Sequence, residues 1–275
     1  MKENGFVNRL HYPPKDIPEN LITEYTMGYR IPIKEWYIDG SRPLNDAIIY
    51  RKSDIDNYLE RIGKGETFYY GATDSWLYKA LKCHPIHRHN VAVIGSETPI
   101  YESMIIFYGG KPTTIEYNKI ISDDDRLTIL RVNEAKIHAH EFDSAFSISS
   151  FEHDGLGRYG DPLNPDGDID AMANTKTLIK DKGILFLSIP IGPDTLVWNA
   201  HRIYGPLRLP KLLSGWKLID TFPSMFQWIF FRGQIQPMLV LQNFTDNVSI
   251  KRFIKKFRIV LFLRRNFRII SNIIK

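Results

Sequence analysis

The chain has 275 residues, 43% hydrophobic, 13% aromatic and 24% charged, which excludes a collagen-like or disordered polymer and suits one large globular domain with extensions or two small ones. A single cysteine, Cys83, excludes an internal disulfide, the N-terminus lacks the apolar stretch of a secretory leader, and no apolar run reaches the ~18 residues of a membrane span. Net charge is +5, yet nine of the 36 Lys and Arg and none of the 31 Asp and Glu lie in 247–275, leaving −4 on the remainder. Basicity is therefore local. It gives no general nucleic-acid signature, and a cytoplasmic location is expected.

Residues 1 to about 43 are rich in Pro, Tyr and charge, and they are expected to lie as irregular structure over a core. Asn45 is a candidate N-cap for a helix through Ile48, Ile49, Ile55, Leu59 and Ile62, closed by Gly63 and Gly65. Thr73 or Asp74 caps a second helix, with Trp76, Leu77, Ala80 and Leu81 on its apolar face. The histidines of HPIHRH (84–89) have no paired cysteines and read as a linker, not a metal site. An alternating pattern then begins. Val91–Ile94 reads as a buried strand ending at Gly95, Thr98 and Pro99 open a helix through Met104 to Tyr108, and Thr113–Tyr117 reads as the next strand. Leu127–Val132 and Phe142–Ile148 are further strands. Asp166 or Asp168 caps a helix through Met172, Leu178 and Ile179, and Ile184–Ile189 is a fifth strand. Trp216–Phe222, Gln227–Phe231 and Met238–Phe244 read as later β segments. The pattern predicts an α/β protein: a mostly parallel sheet with helices on both faces, an N-terminal extension over 1–89, a core over 90–245 and a basic C-terminal helix over 246–275.

The densest concentration of polar and turn residues is 142–168, FDSAFSISSFEHDGLGRYGDPLNPDGD. An apolar strand stops at Ser149-Ser150, Glu152-His153 follow, and a loop rich in Gly, Pro, Asp and Arg begins. Open α/β sheets build sites where strands deliver polar groups to their carboxyl ends.

NTKTLIKDKGILFLSIPIG (174–192), FDSAFSISSFEH (142–153) and IEYN (115–118) resemble the class I S-adenosylmethionine-dependent methyltransferase superfamily. VIGSETPIYES, the 147–168 stretch and NAHRIYGPLRL together resemble, more narrowly, an uncharacterised methyltransferase-like family, a domain of unknown function first catalogued from nematode proteins. The resemblance covers roughly 88–245. It implies a Rossmann-like, methyltransferase-type fold and S-adenosylmethionine (S-adenosyl-L-methionine) as cofactor. Gly95, Ser96, Glu97, Glu116 and Ser149 would line the cofactor side, with Glu116 accepting from the ribose. The chain departs from the superfamily at the first loop, where only Gly95 remains of the usual glycines and Glu97 and Pro99 stand instead.

Glu152 and His153 sit where the resemblance puts the methyl acceptor. His153 is the favoured general base, because imidazole titrates near working pH, with Glu152 holding its tautomer. The loop beyond offers Arg158, Tyr159 and Asp161. Arg158 suits a bidentate grip on a carboxylate or phosphate; alternatively the aspartates hold a cation, or the loop is structural, with Asp168 capping a helix. The Asp spacing does not match an EF-hand, and no metal is expected. His201, Arg202 and Tyr204 form a second polar cluster with Asn199, expected either to face His153 and Arg158 across a cleft or to belong to a surface helix.

These readings point to transfer of a methyl group to an oxygen nucleophile of a small polar or anionic acceptor, with a sugar or saccharide precursor as the expected class. Two alternatives remain: a cofactor-free binding or scaffold protein on the same fold, and an enzyme using a sugar nucleotide. The basic tail fits contact with an anionic membrane surface, packing on the protein itself, or, least, nucleic acid.

Overall fold

The computed structural model describes residues 13–42, 46–231, 233–244 and 247–273. The first twelve residues, the expected cap Asn45 and the terminal Lys275 lie outside them.

The described elements run α1 (Glu19–Tyr25), β1 (Ile33–Glu35), β2 (Ile48–Tyr50), α2 (Lys52–Gly63), α3 (Ala72–Cys83), β3 (Asn90–Ile94), α4 (Ile100–Phe107) and β4 (Lys111–Glu116). There follow β5 (Ile120–Ser122), β6 (Thr128–Arg131), α5 (Val132–Ala135), β7 (Phe142–Ile148), α6 (Gly167–Leu178) and β8 (Ile179–Ser188). Last come β9 (Thr195–Trp198), β10 (His201–Ile203), α7 (Leu209–Leu212), β11 (Lys217–Phe222), β12 (Met238–Gln242) and α8 (Asn247–Ile273).

Seven strands form the main sheet in the order β11-β12-β8-β7-β3-β4-β6. β6, β4, β3, β7 and β8 are mutually parallel; β12 runs antiparallel to β8, and β11 antiparallel to β12. Counted along the chain within this sheet, the order is 3-2-1-4-5-7-6. Its first five positions are those of the doubly wound dinucleotide fold. The chain therefore has the mostly parallel α/β sheet that the alternating pattern predicts, in the Rossmann-like strand order that the resemblance implies.

Side-chain alternation divides the core in two. On β12, Met238 and Val240 face one cluster and Leu239 and Leu241 the other; on β8, Phe186 opposes Leu185 and Leu187. The first cluster takes Ile62 of α2, Leu77 and Leu81 of α3, and Met104 and Ile105 of α4. The second takes Met172 of α6, Leu212 of α7 and the inner stripe of α8. Both faces of the sheet are thereby covered, as its continuous apolar strands require.

Several expected boundaries change. Ile48 and Ile49 belong to β2, not to a helix: Ile48 and Tyr50 are buried on one side, Ile49 is exposed, and the segment pairs in parallel with Ile120–Ser122. Period-two burial thus overrides the helical spacing, and the helix starts at Lys52. Gln227–Phe231 is not a strand. A 3-10 helix spans Met225–Phe230, where the buried Trp228 indole donates to the Pro223 carbonyl behind it. Asp74 does not cap its helix from outside; its carboxylate accepts from the Phe68 amide at 2.8 Å and the Tyr101 hydroxyl at 3.2 Å. Ile179 opens β8 instead of closing α6.

Candidate active site

β3 and β7 are neighbours whose connections leave toward opposite sides of the sheet, so the topological switch point, where open α/β sheets form their ligand crevice, lies between their carboxyl ends. Gly95 ends β3 with φ +73°, and a Cβ placed on it would lie 2.1 Å from the Ser150 hydroxyl that follows β7. Only glycine serves there, on both counts. At the end of neighbouring β4, Glu116 accepts from the Ser96 amide at 2.9 Å through one oxygen and from the Asn118 amide at 3.0 Å through the other. Burial raises its pKa despite these amides. With the amides of Ser96, Tyr117 and Asn118 on it, the carboxylate still has acceptor capacity to offer a ribose hydroxyl. The nucleoside end of an adenosine-type cofactor therefore fits this edge. Glu97 is half-exposed, lies 3.4 Å from the Arg42 guanidinium, and is near enough for its charge to act on Glu116.

Beyond β7 the chain turns through Ser149, a non-glycine residue at φ +55°. Such outliers collect at functional positions. The Ser149 hydroxyl donates to Glu152 Oε1 at 2.6 Å, with the Tyr70 phenol also bonded to Ser149. Glu152 is 1% exposed, and its Oε2 has no hydrogen-bond partner. Burial pushes its carboxyl up to about 7, against the pull of Ser149 and of the Arg158 and Arg202 charges.

His153 Nδ1 lies 2.6 Å from the Ala200 carbonyl, so Nδ1 carries the hydrogen and Nε2 keeps its lone pair. The expectation that Glu152 holds this tautomer gives way to Ala200, since Glu152 Oε1 is 3.9 Å from Nε2. Burial, reinforced by the Arg158 charge, depresses the imidazole to about 3. It is neutral at physiological pH and a weak base. Tyr159 and His201 meet the His153 ring edge-on, at centroid distances of 5.5 and 6.4 Å. Arg158 donates to the Ala200 carbonyl at 3.2 Å and lies over the Tyr159 ring, while its buried Nε has no partner.

Other predicted site residues turn inward. The Asp161 carboxylate accepts from the amides of Gly155, Gly157 and Tyr159 and so shapes its own loop. Arg202 does not face His153. Its guanidinium donates to the Asp154 carbonyl at 2.6 Å and lies 3.8 Å from Asp168. Tyr204 donates to Asp168 at 2.9 Å, and Arg208 reaches the same carboxylate at 2.8 Å through Nε. Asp168 is thus the fully buried centre of an ion cluster, not a helix cap. The reason lies in β9 and β10. The segment, for which a surface helix is one of two expectations, is a β-hairpin, and alternation along β10 turns Arg202 inward while His201 remains at the site.

The same hairpin pairs in parallel with β1, so the N-terminal extension crosses the carboxyl edge as a strap. Asn199, buried and at φ +52°, exchanges two 2.6 Å hydrogen bonds with the backbone of Ile38. The Gly40 amide donates to the Arg158 carbonyl at 2.8 Å, and Trp36 meets His201 edge-on at 6.0 Å. From the same extension, the buried Tyr50 hydroxyl donates to the Ser96 carbonyl at 2.8 Å. Residue-by-residue reading missed Ile38, Tyr50, Tyr70 and the clasp role of Asn199; the aromatic-rich composition of the extension was their signal. A separate cavity of about 320 Å³ lies at the opposite, amino edge, lined by His140, Met172, Lys176 and Trp216, remote from these groups.

Solved structures similar to the chain include a 1,6-didemethyltoxoflavin-N1-methyltransferase from Burkholderia thailandensis, bound to 1,6-didemethyltoxoflavin and S-adenosylhomocysteine. It is 14% identical, with a TM-score of 0.48, over 70% of this chain and 87% of that one. An S-adenosylmethionine-dependent methyltransferase from Mesorhizobium loti is 12% identical, with a TM-score of 0.42, over 62% of this chain and all of that one. No curated protein matches the chain. Residues 88–230, more than half of the chain and the span holding β3, β4, β7, Glu116, Glu152, His153 and Arg158, match the family described as "Caenorhabditis protein of unknown function, DUF268", and the chain belongs to that family.

Proposed function

We propose that this protein is an S-adenosylmethionine-dependent methyltransferase acting on an oxygen nucleophile of a small polar or anionic acceptor, with saccharides the first class to try. The observation that carries the reading is the pair of buried, unpartnered polar atoms, Glu152 Oε2 and Arg158 Nε, beside the switch point. Buried polar atoms without partners are rare in folded proteins, and a bound molecule is one way to satisfy them. They sit among groups with displaced proton affinities, as reacting centres do.

Glu116 and the Ser96–Gly95 turn hold the nucleoside end of the cofactor. When bound, the cofactor supplies a methyl group on a sulfonium centre, with a neutral thioether as leaving group. Transfer of that group to the acceptor oxygen would release the acceptor's hydroxyl proton, which a residue of this chain would have to take. Glu152, with its proton affinity near neutrality, is better matched to take that proton than His153. The neutral His153 accepts a hydrogen bond through Nε2 and orients the hydroxyl; Arg158 and His201 favour an anionic or richly hydroxylated acceptor. The strap covers this edge, held there by Asn199.

A second reading, a cofactor-free binding protein, is favoured by that same strap across the carboxyl edge. Incubation with methyl-labelled S-adenosylmethionine and panels of sugars and nucleotide sugars separates the two. Label in an acceptor, reduced at least tenfold by Glu152→Gln with S-adenosylhomocysteine binding retained, supports methyl transfer. Failure of the folded protein to bind either adenosyl compound rejects it.

A further inference from the structure

The family and the proposed reaction leave α8 without a role. One face of this helix is spoken for: Ile250, Phe253, Ile254, Phe257 and Val260, at helical spacing, are buried against the second core cluster. Arg264 extends the attachment by donating to the carbonyls of Phe231 and Gly233. The docked stripe therefore fixes which way the rest of the helix looks.

The outward face is unusual. Lys251, Arg252, Lys255, Lys256 and Arg258 are all exposed, and the sequence from 247 to 275 has no acidic residue to neutralise them. One turn on, the same face carries Ile259, Phe262 and Leu263 with 51%, 64% and 39% of their surface exposed. These side chains are not failures of packing, because the helix already has a complete inner stripe. A solvated helix face has no use for three neighbouring large apolar side chains.

We infer that this face is a docking surface for an anionic lipid bilayer. The cations lie at headgroup level and the three apolar side chains enter the acyl boundary, with the helix parallel to the surface. Among the described residues no helix is long and apolar enough to cross a membrane, so the attachment is peripheral. Charge complementarity alone would also suit a nucleic-acid backbone. The interleaved Ile259, Phe262 and Leu263 favour lipid: of the three only Phe262 could stack a base, and the aliphatic Ile259 and Leu263 have nothing apolar to meet on a phosphodiester chain. The inference is independent of the proposed methyl transfer.

The test is co-sedimentation of the full chain with vesicles of phosphatidylcholine alone and of phosphatidylcholine with phosphatidylserine, at low and high salt. The protein is expected on the anionic vesicles only, with binding that falls as salt rises. Lys255→Gln with Lys256→Gln should weaken it about fivefold for each charge removed. Ile259→Ser with Phe262→Ser should weaken it as well, with the unfolding midpoint unchanged in both variants. Absence from anionic vesicles overturns the assignment. So does binding that ignores the apolar substitutions, and so does preferential binding of a single-stranded RNA probe that the apolar variant retains.

Discussion

Gly95 and Ser150 meet across the switch point so closely that a Cβ at residue 95 would stand 2.1 Å from the serine hydroxyl. The next residue, Ser96, donates its amide to Glu116 at 2.9 Å. Gly95→Ala combines the clash with a strained positive φ, and it should cost about 1–3 kcal/mol of stability. Urea unfolding measures that loss, and calorimetry on the folded variant should show weakened adenosyl binding.

Glu152 and His153 make opposite demands on pH. Folded Glu152 keeps its proton to about 7, against 4.5 for an ordinary glutamate; its stabilising contribution is full below 4.5 and lost as pH rises to 7. Folded His153 resists protonation down to about 3, against 6.5 ordinarily; its contribution is full above 6.5 and lost as pH falls. Between those ordinary values the two slopes oppose. Buried Glu102, also pushed up to about 7, acts in the same sense as Glu152, so the difference between variant and parent isolates Glu152. Glu152→Gln should make stability rise more steeply from pH 4.5 to 6.5 than in the parent. Urea midpoints across that range check it.

Asp168 holds Arg208, Tyr204 and Arg202 around one buried carboxylate. Burial alone would raise its pKa, yet the two arginines hold it below the ordinary value. Asp168→Ala leaves buried guanidinium groups uncompensated and should cost ~3–5 kcal/mol. That loss should appear in thermal and urea unfolding of the whole chain. A near-neutral Asp168→Ala would mean that the cluster is not what fixes the 154–168 loop.

The strap depends on Asn199, which closes two hydrogen bonds with Ile38. Asn199→Ala should release residues 36–42 without unfolding the sheet. Limited proteolysis should cut that segment faster, and adenosyl compounds should associate more quickly. An unchanged cleavage pattern would assign Asn199 a purely local role.

The main sheet was legible because β3, β7 and the second half of β8 carry short apolar runs and β4 the β-branched Thr113-Thr114-Ile115 before Glu116, and local pattern suffices for buried parallel strands. The same reasoning found Glu116, Glu152 and His153 at strand ends. It failed where long-range partners decide. β1 exists only because β9 pairs with it, and β2 only because β5 does, so neither is visible in its own three residues. Arg202 looked like a substrate ligand until strand alternation turned it toward Asp168. The reversal of proton affinity between Glu152 and His153 arises from burial, which no local motif encodes. For the tail, helical spacing allowed both packing and exposure, and both occur, on opposite faces of α8.

The central claim is that the carboxyl edge holds an adenosyl cofactor through Glu116. Calorimetric titration with S-adenosylmethionine and S-adenosylhomocysteine tests it most directly, using the parent chain, Glu116→Ala and the strap-released Asn199→Ala. The account predicts micromolar binding by the parent, loss with Glu116→Ala, and retention with Asn199→Ala. A folded parent and a folded Asn199→Ala variant that both fail to bind either compound would contradict it.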